Sequence, residues 1–235
     1  MALQYPARID FSKPPSEEIR AAIAMQNELR HKIVLKNDFG ELRTVAGVDV
    51  GYDLKKNLTK AVVAVMAWPS LELQISVIAY QDTNFPYISG LLAFREIPAI
   101  LKALSCLKQR PDLLMVDGQG AAHPRRMGIA AHLGVVTNLP AIGVGKSRLC
   151  GKHDILGFTK FTETPLMDKG ERIGTVLRSK EKCNPLYISA GHKIDQQTAL
   201  GITKQCFKGY RLPEPTRIAD QISKWSLESQ SETLF

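Results

Sequence analysis

Leu113-Leu114-Met115-Val116-Asp117-Gly118-Gln119-Gly120-Ala121-Ala122-His123-Pro124-Arg125-Arg126 is the stretch whose reading decides the fold. Four consecutive apolar residues describe a strand buried on both faces, as inside a helix-covered parallel sheet. The strand stops at an acid and runs straight into a glycine-rich loop carrying a histidine and two arginines. Ligands of open α/β sheets sit outside the carboxyl ends of strands, so Asp117 is a candidate site residue. Read alone, it is equally well a turn former after a core strand.

Working outward, a helix from about Ile97 precedes this strand, with Ile97, Ile100, Leu101, Leu104 and Leu107 as its core face and Pro98 in the first turn, where proline is tolerated. A helix over about 125–137 and a strand Ala141–Lys146 follow it. Upstream, strands are predicted over about 44–53, 60–68 and 71–81, the last alternating Leu71, Leu73, Ile75, Val77 and Ala79 on one face. Asn57 and Pro69-Ser70 mark the turns of this antiparallel meander. Two βα steps after a three-stranded meander imply a mixed α/β sheet, antiparallel and parallel, flanked by helices. A hairpin around Ile173–Leu177 and Leu186–Ser189 comes next, then helices near 195–206 and 214–226. Residues 1–15 read as extended. Ser16 is placed to cap a helix with the stripe Ile19, Ala22, Ile23, Leu29 and Ile33. The Ser/Glu-rich tail from Ser226 is expected to fray. With no repeat and no linker, residues 1–235 are expected to form a single domain, its core over about 44–206 and the terminal helices packed on it.

Composition narrows the class. Hydrophobic residues make up 44% and charged residues 23%, ordinary for a folded protein, while a net charge of +8 favours a polyanionic partner. No apolar run approaches a membrane span, and Met1-Ala2-Leu3-Gln4-Tyr5 lacks a signal-peptide core. Cys106, Cys150, Cys183 and Cys206 show no C-x-x-C spacing and read as reduced thiols, so a cytoplasmic location is expected.

In the first strand, Val45-Ala46-Gly47-Val48-Asp49-Val50-Gly51-Tyr52-Asp53, alternation puts Gly47, Asp49, Gly51 and Asp53 on one face. An acid flanked by two glycines is poor strand chemistry and suggests close approach of something bulky, such as a metal carrying a phosphate. An exposed edge-strand face is the plainer account. Phe94-Arg95-Glu96-Ile97-Pro98 sets a third carboxylate just before a helix, where the helix dipole alone would explain it. Hard divalent cations are held by one or two carboxylates plus substrate phosphate, so acids from three elements suit metal-assisted phosphodiester hydrolysis. Lys146 ends the strand beside Asp117 and is suited to a charged phosphate transition state; a solvated lysine is the alternative. Gly143-Val144-Gly145-Lys146-Ser147 is no P-loop, because the leading glycine position is Pro140, and Gly118-x-Gly120 lacks a dinucleotide fingerprint's third glycine, a slot held by His123. His123 is the one histidine adjacent to a candidate site. Arg125 and Arg126 suit phosphate contacts or a solvated helix start, and Arg178, Lys180 and Lys182 add basic surface. Pro86-Tyr87-Ile88-Ser89 is either a wedge between stacked bases or a loop folded onto the core.

Taken together and in order, several short motifs resemble the endonuclease V family: Gly47-Val48-Asp49-Val50, Pro86-Tyr87-Ile88, Phe94-Arg95-Glu96-Ile97-Pro98, Asp117-Gly118-Gln119-Gly120 with His123-Pro124-Arg125, Gly145-Lys146-Ser147, and Leu212-Pro213-Glu214-Pro215-Thr216-Arg217. The resemblance covers about Val45 to Asp220. It implies an RNase H-like fold and a Mg2+-dependent nuclease, with Mn2+ able to substitute. The expected cut is the second phosphodiester 3′ to a deaminated adenine in DNA, leaving 3′-hydroxyl and 5′-phosphate ends; inosine-containing RNA is a further candidate substrate. Carried over, Asp49 and Asp117 bind the metal with Glu96 as third acid and Asp220 as an outer-sphere acid. Lys146 acts at the scissile phosphate, Arg95 and His123 contribute to strand binding, and Pro86, Tyr87, Ile88 and Ser89 form the wedge. The flipped base is expected near Gly120 and Gly143, where backbone amides can approach it. The family wedge commonly ends in a second proline, and Ser89 stands there instead. A monomer is expected. The competing readings are another RNase H-like, structure-specific nuclease and a non-catalytic nucleic-acid-binding module, the latter disfavoured by the intact Asp49, Glu96 and Asp117.

Overall fold

The computed structural model describes residues 15–224. In chain order its elements are α1 (Pro15–Leu29), a 3-10 turn (Arg30–Lys32), β1 (Thr44–Asp53), β2 (Leu58–Ala67), β3 (Leu73–Asp82), α2 (Leu92–Ser105), β4 (Leu113–Val116), α3 (Ile129–Thr137), β5 (Ala141–Gly145), β6 (Glu163–Asp168), β7 (Glu171–Leu177), β8 (Leu186–His192), α4 (Gln196–Gln205) and α5 (Glu214–Ser223). The strands form one eight-stranded sheet ordered β3-β2-β1-β4-β5-β8-β7-β6. β4 runs parallel to both β1 and β5, and the remaining neighbours are antiparallel. This is the mixed, helix-flanked sheet that the meander followed by βα steps implied.

The unbroken apolar run of β4 is explained by cover on both faces. Leu114 and Val116 join Ala46, Val48 and Val63 beneath Ile97 and Ile100 of α2 and Ile129 and Leu133 of α3. Leu113 and Met115 turn the other way, with Val45, Ile142 and Ile188, toward Ala199 and Leu200 of α4. α5 lies on that second face as well, its Ala219 and Ile222 packed on Val62 and Ala64. α1 closes the outside of the α2/α3 layer, Leu29 meeting Met127 and Ala131. Among the described residues no helix is long and apolar enough to cross a membrane.

Several elements differ from the sequence reading. α2 begins at Leu92, five residues before Ile97, so Glu96 lies inside the helix and Pro98 falls beyond its first turn. α3 begins at Ile129; Pro124–Arg126 instead form a turn in which Arg126 adopts φ +60°. Leu73 and Ile75 of the edge strand β3 are 49% and 47% exposed, whereas Val77 and Ala79, under α2, are covered. Leu71 precedes β3 at φ +57° and packs on the opposite face. β6 was not foreseen: Pro165 interrupts its sequence pattern, and an edge strand tolerates a residue with no N–H to donate. The Ser16 cap, the extended residues before Pro15 and the fraying tail lie outside the described residues.

Candidate functional site

The parallel ladder of β1 and β4 sets the geometry. Val45–Val48 pair with Leu113–Val116, and the Asp117 amide donates to Val48 O at 2.9 Å, so Asp49 and Asp117 leave the ladder side by side. Lys146 leaves β5 at the same end of the sheet, one residue past the strand. α5 brings Asp220 and Ser223, three residues apart on one helical face, against β1. Carboxylate oxygens of Asp49, Asp117 and Asp220 lie within 4.8 Å of one another.

The cluster is knit by counter-charges and donors. Lys146 Nζ bridges Asp117 Oδ2 and Asp220 Oδ1, and Lys224 Nζ reaches Asp220 Oδ2 at 2.6 Å. Ser223 Oγ donates to Asp49 Oδ2. Burial, followed by the neighbouring Asp49, raises the Asp117 carboxyl well above the usual carboxylate range. Burial would lower the Lys146 ammonium, but Asp117 and Asp220 outweigh it and hold that pKa above its ordinary value. Asp220 is lowered, its burial outweighed by Lys146 and Lys224.

Glu96 approaches from α2, on the opposite face of the sheet. It is 6% exposed and accepts a 2.5 Å hydrogen bond from Tyr52 Oη. Burial pushes its pKa to about 8; the Tyr52 bond opposes this, and the charges of Asp49 and Asp117 add to it. The Arg95 guanidinium lies over the Tyr52 ring at 4.4 Å and donates to Phe85 O at 3.0 Å. Glu96 is therefore connected, through Tyr52 and Arg95, to the base of the loop that carries Pro86, Tyr87, Ile88 and Ser89. Phe85 anchors that loop in the core against Phe94, while Pro86, Tyr87 and Ser89 are exposed and Ile88 is half-buried. Tyr87, 73% exposed, does not fold back onto the core.

His123 and Arg125 turn inward. Arg125 N donates to His123 Nδ1 at 3.1 Å, which leaves His123 Nε2 to carry the proton and donate to Gly90 O at 3.0 Å. Arg125 NH2 and Gln26 Nε2 converge on the same carbonyl at 2.7 and 3.1 Å. Burial pushes His123 down to about 4, so it is neutral at physiological pH and fixes the end of the Tyr87 loop. Arg126 is ion-paired to Asp168 and Glu171 at 2.9 and 2.8 Å. Neither arginine starts a helix as a solvated charge.

Packing accounts for four of the glycines. A Cβ on Gly47 would lie 1.8 Å from Pro215 O, and one on Gly51 would lie 2.6 Å from Ser223 O. The glycines flanking Asp49 therefore admit the backbone of α5, which is how Asp220 arrives, and not a bulky ligand. Gly120 and Gly143 press against each other, a Cβ on Gly143 meeting Gly120 N at 2.3 Å, and that amide already donates to Ser189 Oγ at 2.8 Å. A side chain at either position would meet backbone, Gly120 at Gly143 and Ala190 at Gly120. A cavity of about 990 Å³ lies elsewhere at this sheet end; its lining includes the acids, Lys146, Tyr87, Gly118, Gly128 and Ile129, but neither Gly120 nor Gly143.

Tyr52, Ser223 and Lys224 had no assigned role in the sequence reading. Tyr52 sits on the even face of a strand read for its odd-face acids. Ser223 had a visible signal in its three-residue spacing from Asp220.

The endonuclease V family profile matches residues 27–221. An endonuclease V of Rippkaea orientalis is 52% identical over 213 residues, covering 91% of this chain and 92% of that protein. The crystal structure of endonuclease V from Streptomyces avermitilis superposes with a TM-score of 0.84 at 37% identity, covering 95% of this chain and 98% of that one. Ciona intestinalis endonuclease V, in complex with a 24mer DNA containing an inosine followed by a ribo-adenosine, superposes with a TM-score of 0.76 at 30% identity, covering 92% and 99%. The shared mixed sheet is the RNase H-like α/β arrangement.

Proposed function

The chain belongs to the endonuclease V family, and from that premise we propose that it is a repair endonuclease that recognises deoxyinosine and hydrolyses the second phosphodiester 3′ to it, leaving 3′-hydroxyl and 5′-phosphate ends. The observation that carries the reading is the convergence of Asp49, Asp117 and Asp220 in a cavity that Tyr87 also lines. Three carboxylates with no thiol or imidazole among them are the donor set of a hard cation. Asp49 and Asp117 would hold Mg2+ (or Mn2+), with Asp220 as the outer acid. When bound, the metal would polarise the phosphate and lower the pKa of the attacking water.

The chain's own groups do the rest. Lys146 bridges Asp117 and Asp220 and presents its positive charge where a phosphate oxygen would gain negative charge. Ser223 holds Asp49 in its rotamer. Glu96, expected from the sequence as the third acid, stands outside the Asp49–Asp117–Asp220 cluster and lines the same cavity from the other face of the sheet, a carboxyl with its pKa pushed to about 8 that can exchange a proton. Tyr87 and Ile88 would fill the gap left by a flipped base, with Pro86 and Ser89 flanking the tip. Arg95 and His123 support that loop from below, through Phe85 and Gly90. The base itself is better accommodated beside Gly118, Gly128 and Ile129 in the cavity than at Gly120 and Gly143.

The test is nicking of inosine-containing and undamaged DNA, in Mg2+ and in chelator. Strand-specific nicking of the inosine duplex in Mg2+ alone is expected, and equal cutting of both substrates would replace this reading with a structure-specific nuclease. Asp49→Ala and Asp117→Ala should abolish nicking while DNA binding stays measurable; full activity in either would remove the metal-site assignment. The same assay on inosine-containing RNA defines the sugar preference.

A further inference from the structure

Beyond Lys146 the chain makes a long excursion, residues 146–162, before β6. Of its charged side chains Lys146, Arg148, Lys152 and Lys160 are basic and only Asp154 is acidic; the turn 178–184 repeats the bias, Arg178, Lys180 and Lys182 against Glu181. Ile155 and Phe158 are 98% and 83% exposed on this excursion. That exposure is not looseness. Lys152 and Met167 exchange backbone hydrogen bonds at 2.7 and 2.8 Å, and Leu156 is buried with Leu166 and Ile173. Phe161 N donates to Arg178 O at 2.7 Å, Arg178 N to Thr162 O at 2.9 Å, and Arg178 Nε to Gly157 O at 3.2 Å. The last contact sets the guanidinium carbon 5.9 Å from the Phe158 ring centroid. An aromatic face is thus held out to solvent beside a fixed cation.

Its position follows from the sheet. Gly145 pairs with Tyr187, and Leu177 with Leu186, so Arg178 emerges at the same sheet end as Lys146. From β4 to β7 is three strand intervals, about 14 Å at ~4.8 Å each. Along one strand of B-form duplex, at 3.4 Å per nucleotide, that is about four nucleotides.

We propose that Phe158, with Arg178 and the lysines beside it, is an accessory nucleic-acid subsite that grips the cleaved strand about four nucleotides 3′ of the cut. The placement rests on the function proposed above: the lesion lies by the Tyr87 loop and the cut phosphate at the acids, so the strand running 3′ continues over β5, β8 and β7. An exposed ring flanked by cations suits partial insertion at a base step, as apolar wedges do in duplexes, with the cations paired to phosphates, a sequence-tolerant contact. Positive charge on both sides of the ring favours a polyanion over a second copy of this basic chain.

The test uses the full chain and inosine duplexes whose 3′ arm ends about two or about twelve nucleotides past the cut, with KM and kcat from nicking and affinity from fluorescence anisotropy. The parent should bind the long arm at least roughly fivefold more tightly, the magnitude of one base–aromatic stack. Phe158→Ala should lose that advantage with kcat and short-arm affinity unchanged, and Phe158→Trp should keep it. Arm-independent affinity in the parent, or a Phe158→Ala loss of equal size on both arms, overturns the proposal. So does a parent dimer, seen by light scattering, that Phe158→Ala dissociates. If the parent fails to nick inosine DNA, the function reading fails separately, and the arm dependence of binding still decides this subsite.

Discussion

Ser223 contributes one hydroxyl, donated to Asp49, on a residue whose own backbone carbonyl presses on Gly51. Replacing it with alanine removes a hydrogen bond to a charged group, ~1.5 kcal/mol, which is about tenfold in rate if it is felt in the transition state. Ser223→Ala should lower kcat by about that factor, with unfolding stability reduced by no more than ~1.5 kcal/mol. A kcat equal to the parent's would mean that Asp49 needs no orienting partner. Tyr52→Phe keeps the ring beneath Arg95 and deletes only the donor to Glu96, so the expected loss is again in kcat, with lesion affinity preserved. Tyr87→Ala should do the reverse, weakening lesion binding at constant metal affinity. At this scale Asp117 was legible as a carboxylate just past a buried strand, and Asp49 as an acid set between two glycines in mid-strand. Tyr52 was not, because its importance comes from Glu96 reaching across from another element. His123 was legible as adjacent to the site, but burial decides that it faces Gly90.

Among the elements, α5 depends on the absence of side chains beneath it. Gly47→Ala would drive a Cβ into the Pro215 carbonyl, and overpacking of this kind costs about 3 kcal/mol. Urea unfolding should show that loss together with reduced nicking, because Asp220 moves with the helix. Gly201, in α4, has open space around its Cβ position, so Gly201→Ala should instead stabilise by up to about 1 kcal/mol through helix propensity. If both alanines destabilise equally, close packing of α5 is not the reason for glycine at Gly47. The sequence marked β1 and β4 by apolar runs and turn residues. It could not distinguish a glycine that admits a ligand from one that admits a helix, since both look alike along the chain. α2's early start was hidden by Pro98, which reads as a helix boundary until packing on Ile97 and Ile100 overrides it.

For the molecule as a whole, buried neutral histidine is an acid liability. His132 is fully buried against Phe94, and burial, followed by the charge of His123, lowers its pKa to about 4. A histidine whose folded pKa lies below its unfolded value of about 6.5 binds its proton more readily in the unfolded chain. Its contribution is complete above pH 6.5 and lost as pH falls toward 4. Other groups titrate there too, so the comparison is with His132→Gln: the parent should lose about 3 kcal/mol more over that interval. Equal losses in urea titrations at the two pH values would show that His132 accepts a proton without unfolding. The sheet order carries one more consequence, in the order of the chain. Asp49, Asp117 and Lys146 come on or just past three adjacent strands at the middle of the sheet, but Asp220 and Ser223 come on α5, after every other described element. A chain without α5 would keep Asp49, Asp117 and Lys146 but lack Asp220 and Ser223, and would bare the glycine face of β1. The last described helix therefore does two things at once: it covers the glycine face of β1 and it brings in the third carboxylate of the acidic cluster.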